Sequence, residues 1–174
     1  MKKDNWIIKA FLMTFFIALF FSTISNVLIE ECNNVFILII LSLLFIAIGI
    51  LFDIIGTAVL TANIASFHAK SSKKIKGSKE GVYLIKNASR VASICNDVIG
   101  DICGIVSGSI GAMLSIYISN KLSFSIVVTT LIISSVISSL TVGGKAIGKN
   151  YAIKYSDSIV FEVAKILSKF KKNK

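Results

Sequence analysis

Residues 35–67 read VFILIILSLLFIAIGILFDIIGTAVLTANIASF, an apolar run interrupted in its middle by Asp53 and Gly56. A helix of roughly 20 apolar residues crosses a hydrocarbon core about 30 Å thick, so this stretch is long enough to span a bilayer. Three further stretches share the character. Residues 6–29 are aromatic and aliphatic, 91–118 are rich in Gly and Ser and carry Asn96, Asp97 and Asp101, and 122–142 are dominated by Ile, Val, Ser and Thr. The whole chain agrees: 174 residues, 55% hydrophobic, 16% charged and without proline, at a mean hydropathy of +0.83. A soluble domain carries about a quarter charged residues. The sequence therefore predicts an all-α integral membrane protein with four transmembrane helices plus basic amphipathic juxtamembrane helices. Four spans and their connections use the chain, which leaves no expectation of a separate soluble catalytic domain. Lys2 and Lys3 precede the first run as in a signal peptide, but the run is long and ends at Glu30-Glu31 without a small-x-small cleavage site, so an uncleaved span is expected.

The net charge of +10 would suggest nucleic acid as the partner of a soluble protein. Here the placement of the charges points elsewhere. Every one of the 19 Lys and Arg residues except Lys121 lies at the start of the first run, between the second and third, or after the fourth. The positive-inside rule then puts both termini and residues 68–90 on the cytoplasmic side of the cytoplasmic (inner) membrane, with two short external loops. Within 69–90 and 148–172, apolar residues such as Ile75, Leu84, Ile159 and Val163 interleave with lysines. Both segments are expected to lie as amphipathic helices against anionic inner-leaflet head groups, and no nucleic-acid partner is expected. Cys32, Cys95 and Cys103 are an odd number without metal-ligand spacing, so neither a structural disulfide nor a zinc site is expected.

A carboxylate at mid-membrane costs roughly 3 kcal/mol on the most lenient insertion scale, so three in a small protein need a reason. Asp97 and Asp101 are four apart and project from one helix face, with Asn96 beside it. Gly100, Gly104 and Gly108 form a ladder that would let another helix approach. In the second run, Asp53, Gly56, Thr57 and Thr61 mark a change from bulky aliphatics to small and polar residues, which offers either packing or a local unwinding. Carboxylates, an Asn amide and backbone carbonyls are the hard oxygen donors that Mg²⁺ or Na⁺ prefers. Two readings stand side by side: an ion or proton pathway, or hydrogen-bonded buried carboxyls in a packed bundle. His68, the single histidine, sits where an interfacial cap is expected, and no Ser-His-Asp set, Walker loop or His-Glu-x-x-His motif occurs. The chain is not expected to be an enzyme.

The order of these features resembles the transmembrane domain of the CNNM/CorC (CorB-type) magnesium and cobalt transporters. Phe52-Asp53-Ile54-Ile55-Gly56-Thr57-Ala58-Val59 is similar to that family's Phe-Ser-Gly-Ser-Glu-Thr-Ala-Leu motif. Lys76-Gly77-Ser78-Lys79 and Leu84-Ile85-Lys86-Asn87-Ala88 resemble its connecting basic helix. Ile94-Cys95-Asn96-Asp97-Val98-Ile99-Gly100 falls on its Ile-Gly-Asn-Asn motif, and residues 144–153 on its last. The resemblance covers about 45–170 and leaves the first run as an extra span, so residues 1–34 are read as an added helix and loop and 35–174 as the family-like domain. It implies a homodimer and a dehydrated Mg²⁺ site of hydroxyls, carbonyls and Asn side chains. In this chain Asp53 stands for the family's Ser, Gly56 for its Glu, Asp97 for its second Asn and Gly100 for its later Asn, while Asn96 is unchanged. The family's nucleotide-binding CBS pair has no counterpart here, and no nucleotide or organic cofactor is expected.

The resulting expectation is transport or binding of a divalent cation, Mg²⁺ and also Co²⁺, driven by an ion gradient. Its metal site would comprise Asp53, Thr57, Asn96, Asp97, Gly100 and Asp101. The alternative is a non-transporting membrane scaffold or accessory subunit that keeps the fold. A pore former of the holin kind is a third class, and the polar motifs of the second and third runs lend it no support.

Overall fold

The computed structural model describes residues 4–31 and 34–171. Among these it is all helical: α1 (Asp4–Glu31), α2 (Val35–Thr61), α3 (Ile64–Ser72), α4 (Ser78–Lys86), α5 (Ala88–Ala92), a π-helix (Ser93–Gly100), α6 (Asp101–Leu122), α7 (Ile126–Lys154) and α8 (Ser156–Lys171). Three helical stretches are long and apolar enough to cross a membrane: Val35–Thr61, Ala88–Leu122 and Ile126–Lys154, the second being α5, the π-helix and α6 end to end. The apolar part of α1, Ile8–Ile24, is shorter.

Helix boundaries differ from the sequence reading in three places. The second run does not continue to Phe67; it stops at Thr61, and α3 restarts behind Asn63. The Asn63 side chain accepts a hydrogen bond from Ala65 N at 2.9 Å, and its own N–H donates to Asp157 Oδ1 at 2.8 Å. An Asn that caps a new helix ends the old one, because its extended backbone cannot continue the ladder. The fourth run does not stop near Val142: α7 passes through Gly143 and Gly144 to Lys154, and only Tyr155 separates it from α8. The basic connection is not one helix over 69–90 but three short ones, with a turn at 73–77 where Lys74 and Gly77 take left-handed backbone conformations.

The chain divides into two compact units, Met1–Ile50 with Val98–Gly144, and Leu51–Asp97 with Lys145–Lys174. The extra N-terminal helix of the sequence reading is thus part of the first unit, where α1 packs against α6. That unit is built on helical periodicity. Ile102, Val106, Ile110 and Leu114 follow one face of α6 and meet Leu38 and Phe45 of α2, with Ile17 and Phe21 of α1 and Ile133 of α7 at the margin. Phe21 and Phe45 meet edge to face at 6.1 Å between centroids.

Between helices in lipid there is little hydrophobic drive, so close approach and dispersion supply the attraction. The ladder that achieves it is not Gly100-Gly104-Gly108. Cys103, Ser107, Gly111, Ser115 and Ser119 are the buried small residues of α6, whereas nothing lies within 4 Å of a methyl built on Gly104 or Gly108. A methyl on Gly111 would fall on Ile137 of α7. The buried hydroxyls are satisfied by nearby carbonyls: Ser107 Oγ donates to Gly104 O at 2.9 Å, Ser115 Oγ to Gly111 O at 2.8 Å and Ser119 Oγ to Phe124 O at 2.7 Å.

The second unit has its own core of Ala58, Val59, Phe67, Leu84, Ala152, Val160 and Ala164. Phe67 is fully buried, and Gly81 of α4 is a glycine because a methyl there would run into the Phe67 ring. Asp157 at the start of α8 ties the unit together: Oδ1 accepts from Asn63 N and Oδ2 accepts from Ser66 Oγ at 2.7 Å. One turn further along α8, Lys70 Nζ and Lys165 Nζ lie 4.6 and 4.5 Å from the Phe161 ring centroid.

Candidate cation site

The buried face of α2 repeats with helical spacing through Leu38, Ser42, Phe45, Gly49, Asp53 and Gly56. Its last two members belong to the second unit, together with Thr57 and with Asn96 and Asp97 of the π-helix. Gly100 and Asp101 belong to the first. The expected six-residue set is therefore divided between the units, and each part is described by itself.

In the second unit the decisive contact is at Gly56. The Asn96 side chain lies against its Cα: a methyl built there would coincide with Asn96 Oδ1, stand 2.8 Å from Asn96 Cγ and 3.1 Å from Cys95 Cβ. Gly56 therefore acts by close packing, and α2 shows no unwinding at this point. The irregular backbone is in the partner segment. Ser93–Gly100 is a π-helix, a form whose i→i+5 bonding is uncommon beyond a single turn and is frequent at functional sites.

Asp53 stands three residues before Gly56 and is 3% exposed. Its Oδ2 and the Oδ1 of Asn96 are buried side-chain oxygens without a hydrogen-bond partner. Leaving such an atom unsatisfied costs about 1–3 kcal/mol, and native structures carry few of them. Both are acceptors, so a cation or a donor is the chemistry they lack.

The remaining expected ligands are placed differently. Asp97 is exposed, and its Oδ2 accepts from Ser93 Oγ at 2.9 Å. Asp101 is exposed too. Thr57 is half-buried, and its carbonyl accepts from Thr61 Oγ at 3.0 Å. Gly100 is buried, with its carbonyl 3.5 Å from the position a Gly49 methyl would take. Among the described residues no three His, Cys, Asp or Glu side chains gather as a metal-holding group. Within the second unit Asp53 is buried and Asp97 exposed, so what that unit withdraws from the surface is one carboxylate and one amide oxygen.

Cys95 and Cys103 are buried thiols, each set against a glycine of α2: Cys95 at Gly56, and Cys103 at Gly49, where a methyl would be 3.2 Å from its Cβ. Cys32 lies outside the described residues. His68 is exposed on α3. The sequence reading missed the packing role of the two cysteines and the tie made by Asp157. A signal for the first was the seven-residue spacing of Gly49 and Gly56 on one apolar helix; the second joins residues more than 90 apart in the chain, with no local trace.

No family model, curated protein or solved structure matches this chain.

Proposed function

We propose that this membrane protein binds a divalent cation, Mg²⁺ and also Co²⁺, at Asp53 and Asn96, and carries it across the cytoplasmic membrane with an ion gradient as the driving force. The observation that carries the reading is the pair of buried oxygens without partners on α2 and the π-helix. Mg²⁺ is commonly held by one or two carboxylates while it keeps several waters, which suits one Asp and one Asn better than a fully protein-built cage would. Thr57 and Asp97, in the same unit, then serve as approach or outer-sphere groups. In this reading α1 is the fourth span, its apolar part Ile8–Ile24 giving about 26 Å at 1.5 Å per residue, close to the hydrocarbon thickness. Both termini are cytoplasmic, and the basic helices rest on anionic head groups. The protein acts as a homodimer.

Thermal unfolding of the purified chain across a Mg²⁺ titration, with Co²⁺, Ca²⁺ and Na⁺ alongside, tests it. At 100 times Kd a native-state ligand adds about 2.7 kcal/mol. A saturable shift that is lost in Asp53→Asn and Asn96→Ala supports the site and leads to flux measurements in liposomes. No shift with any ion removes it.

The second reading, a non-transporting scaffold or accessory subunit, has an observation of its own. Gly104 and Gly108 face open space on α6, a stripe on which a helix of another chain could pack closely. Mg²⁺-independent stability together with co-purification of a stoichiometric partner would favour it.

A further inference from the structure

The turn between α3 and α4 borders an open cavity of about 530 Å³. Lys74, Lys76 and Lys79 line it, with Ser71 and, from α8, Ser168. Glu80 is the one acidic residue in its lining. Three lysines against one glutamate in the lining is a local excess of positive charge, and the ion pair seen among the described residues nearby, Lys165 with Glu162, involves none of these lysines.

The turn that carries the lysines is held in place. Ile75 N donates to Lys70 O at 3.1 Å, Lys74 N to Ser71 O at 2.9 Å, and both the N–H and the hydroxyl of Ser78 donate to Ile75 O, at 3.1 and 2.6 Å. Gly77, at φ +88°, lies against α8, where a side chain would come within 3.0 Å of Lys165 N. The lysine stems thus start from fixed points, and the ordering that a loose basic loop would have to undergo on binding is largely in place beforehand. Ile75, which is exposed, adds an apolar wall to the same cavity.

We propose that this cavity binds a phosphate group, with Lys74, Lys76 and Lys79 as the cationic ligands. An anionic phospholipid head group and a soluble phosphate compound present the same chemistry. A phosphate offers several acceptor oxygens to ammonium donors that have no acceptor of their own, and a lipid would in addition lay its glycerol end along Ile75. The proposal is independent of the cation site, since it uses neither Asp53 nor Asn96.

The test is the thermal midpoint of the full chain in neutral detergent, titrated with short-chain phosphatidylglycerol, with phosphatidylcholine of the same chain length, and with inorganic phosphate. The variants are Lys74→Gln/Lys76→Gln/Lys79→Gln and a charge-matched control, Lys86→Gln/Lys149→Gln/Lys169→Gln. Near a membrane surface each lysine is worth roughly fivefold in affinity, so the first triple should weaken phosphatidylglycerol binding about 100-fold while the control changes it little. Glu80→Gln removes the carboxylate and should tighten binding about two- to fivefold, a gain that a folding defect cannot imitate. A saturable shift with phosphatidylglycerol and not with phosphate assigns the site to a lipid; the reverse assigns it to a soluble ligand; either supports the proposal. Equal losses in the two triples, an unchanged first triple, or no shift with either phosphate source overturns it.

Discussion

Two glycines of α2, seven residues apart, make the same kind of contact with different results. At Gly49, in the first unit, the neighbour is Cys103, a small apolar group, and the buried serines of α6 in that unit give their hydrogens to nearby carbonyls. At Gly56, in the second unit, the neighbour is the Asn96 amide, whose oxygen finds no partner, and Asp53 one turn away repeats the deficit. Close packing alone explains the first contact. It does not explain the second, where an apolar pair of similar size would have packed as well without two unsatisfied oxygens. The difference separates a contact whose polar groups are satisfied from one that leaves two buried oxygens without a partner.

The largest effect should come from the polar tie of the second unit. Asp157→Ala removes the acceptor of both Asn63 N and Ser66 Oγ. Hydrogen bonds to a charged group are worth about 1.5–3 kcal/mol each, so a loss of about 3 kcal/mol is expected in the unfolding free energy. Ser107→Ala in the first unit should cost under about 0.5 kcal/mol, because its hydroxyl only supplements a carbonyl of its own helix. Comparable losses at both positions would mean that the two units are not held together by different means.

Much of this was legible from the residues, and the exceptions are instructive. Three of the four apolar runs announced helices long enough for a membrane, because length and hydropathy are local properties. The break at Asn63 was not legible, since the partner that fixes it, Asp157, is distant in sequence. The π-helix hid the inward face of the third run. Asp97 and Asp101 do share a spacing of four, but Cys95, Val98, Ile102 and Cys103 are the residues that turn inward, and both carboxylates are left on the exposed side with Gly104 and Gly108. Residue types marked Asp53 and Asn96 as polar groups in apolar runs, and these are the two with buried unpartnered oxygens. They could not say which carboxylates would be withdrawn from solvent or lipid, because that depends on helix rotation.

Next in size is a direct exchange between the two glycine contacts. Gly56→Ala puts a methyl onto Asn96 Oδ1, and Cys95 Cβ at 3.1 Å limits how far the segment can give. The amide must turn away, so the Mg²⁺-dependent shift should vanish, with a packing cost of about 1–2 kcal/mol. Gly49→Ala meets Cys103 Cβ at 3.2 Å, a cost that the better helix propensity of Ala, about 1 kcal/mol, offsets; its midpoint and its Mg²⁺ response should both stay close to those of the unmodified chain. Equal Mg²⁺ responses in the two variants would break the comparison.

Smaller again, and opposite in sign, is Asn96→Ala in the presence of a chelator. If the Asn oxygen is held for a ligand, its removal relieves an unsatisfied acceptor, and the apo protein should gain up to about 1 kcal/mol while losing its cation response. A buried amide that served only structure would lose stability on truncation and leave any cation response untouched. The midpoint in chelator, read beside the midpoint in saturating Mg²⁺, separates the two.

The smallest effect is the most pointed, because it sets the structure against the carboxylate-rich site that the sequence suggests. Asp97 is exposed and its recorded partner is Ser93, on its own helix at i−4. Asp97→Ala should therefore change stability by no more than about 0.5 kcal/mol, as surface substitutions do, and should leave the saturable Mg²⁺ shift in place, with at most a change of a few-fold in the concentration at half effect. Asp53→Asn, on the buried side, should abolish that shift. If instead Asp97→Ala removed the shift as completely as Asp53→Asn, a first-sphere ligand would have to come from the exposed side of the π-helix, and the division between a buried oxygen pair and an outer carboxylate would fall.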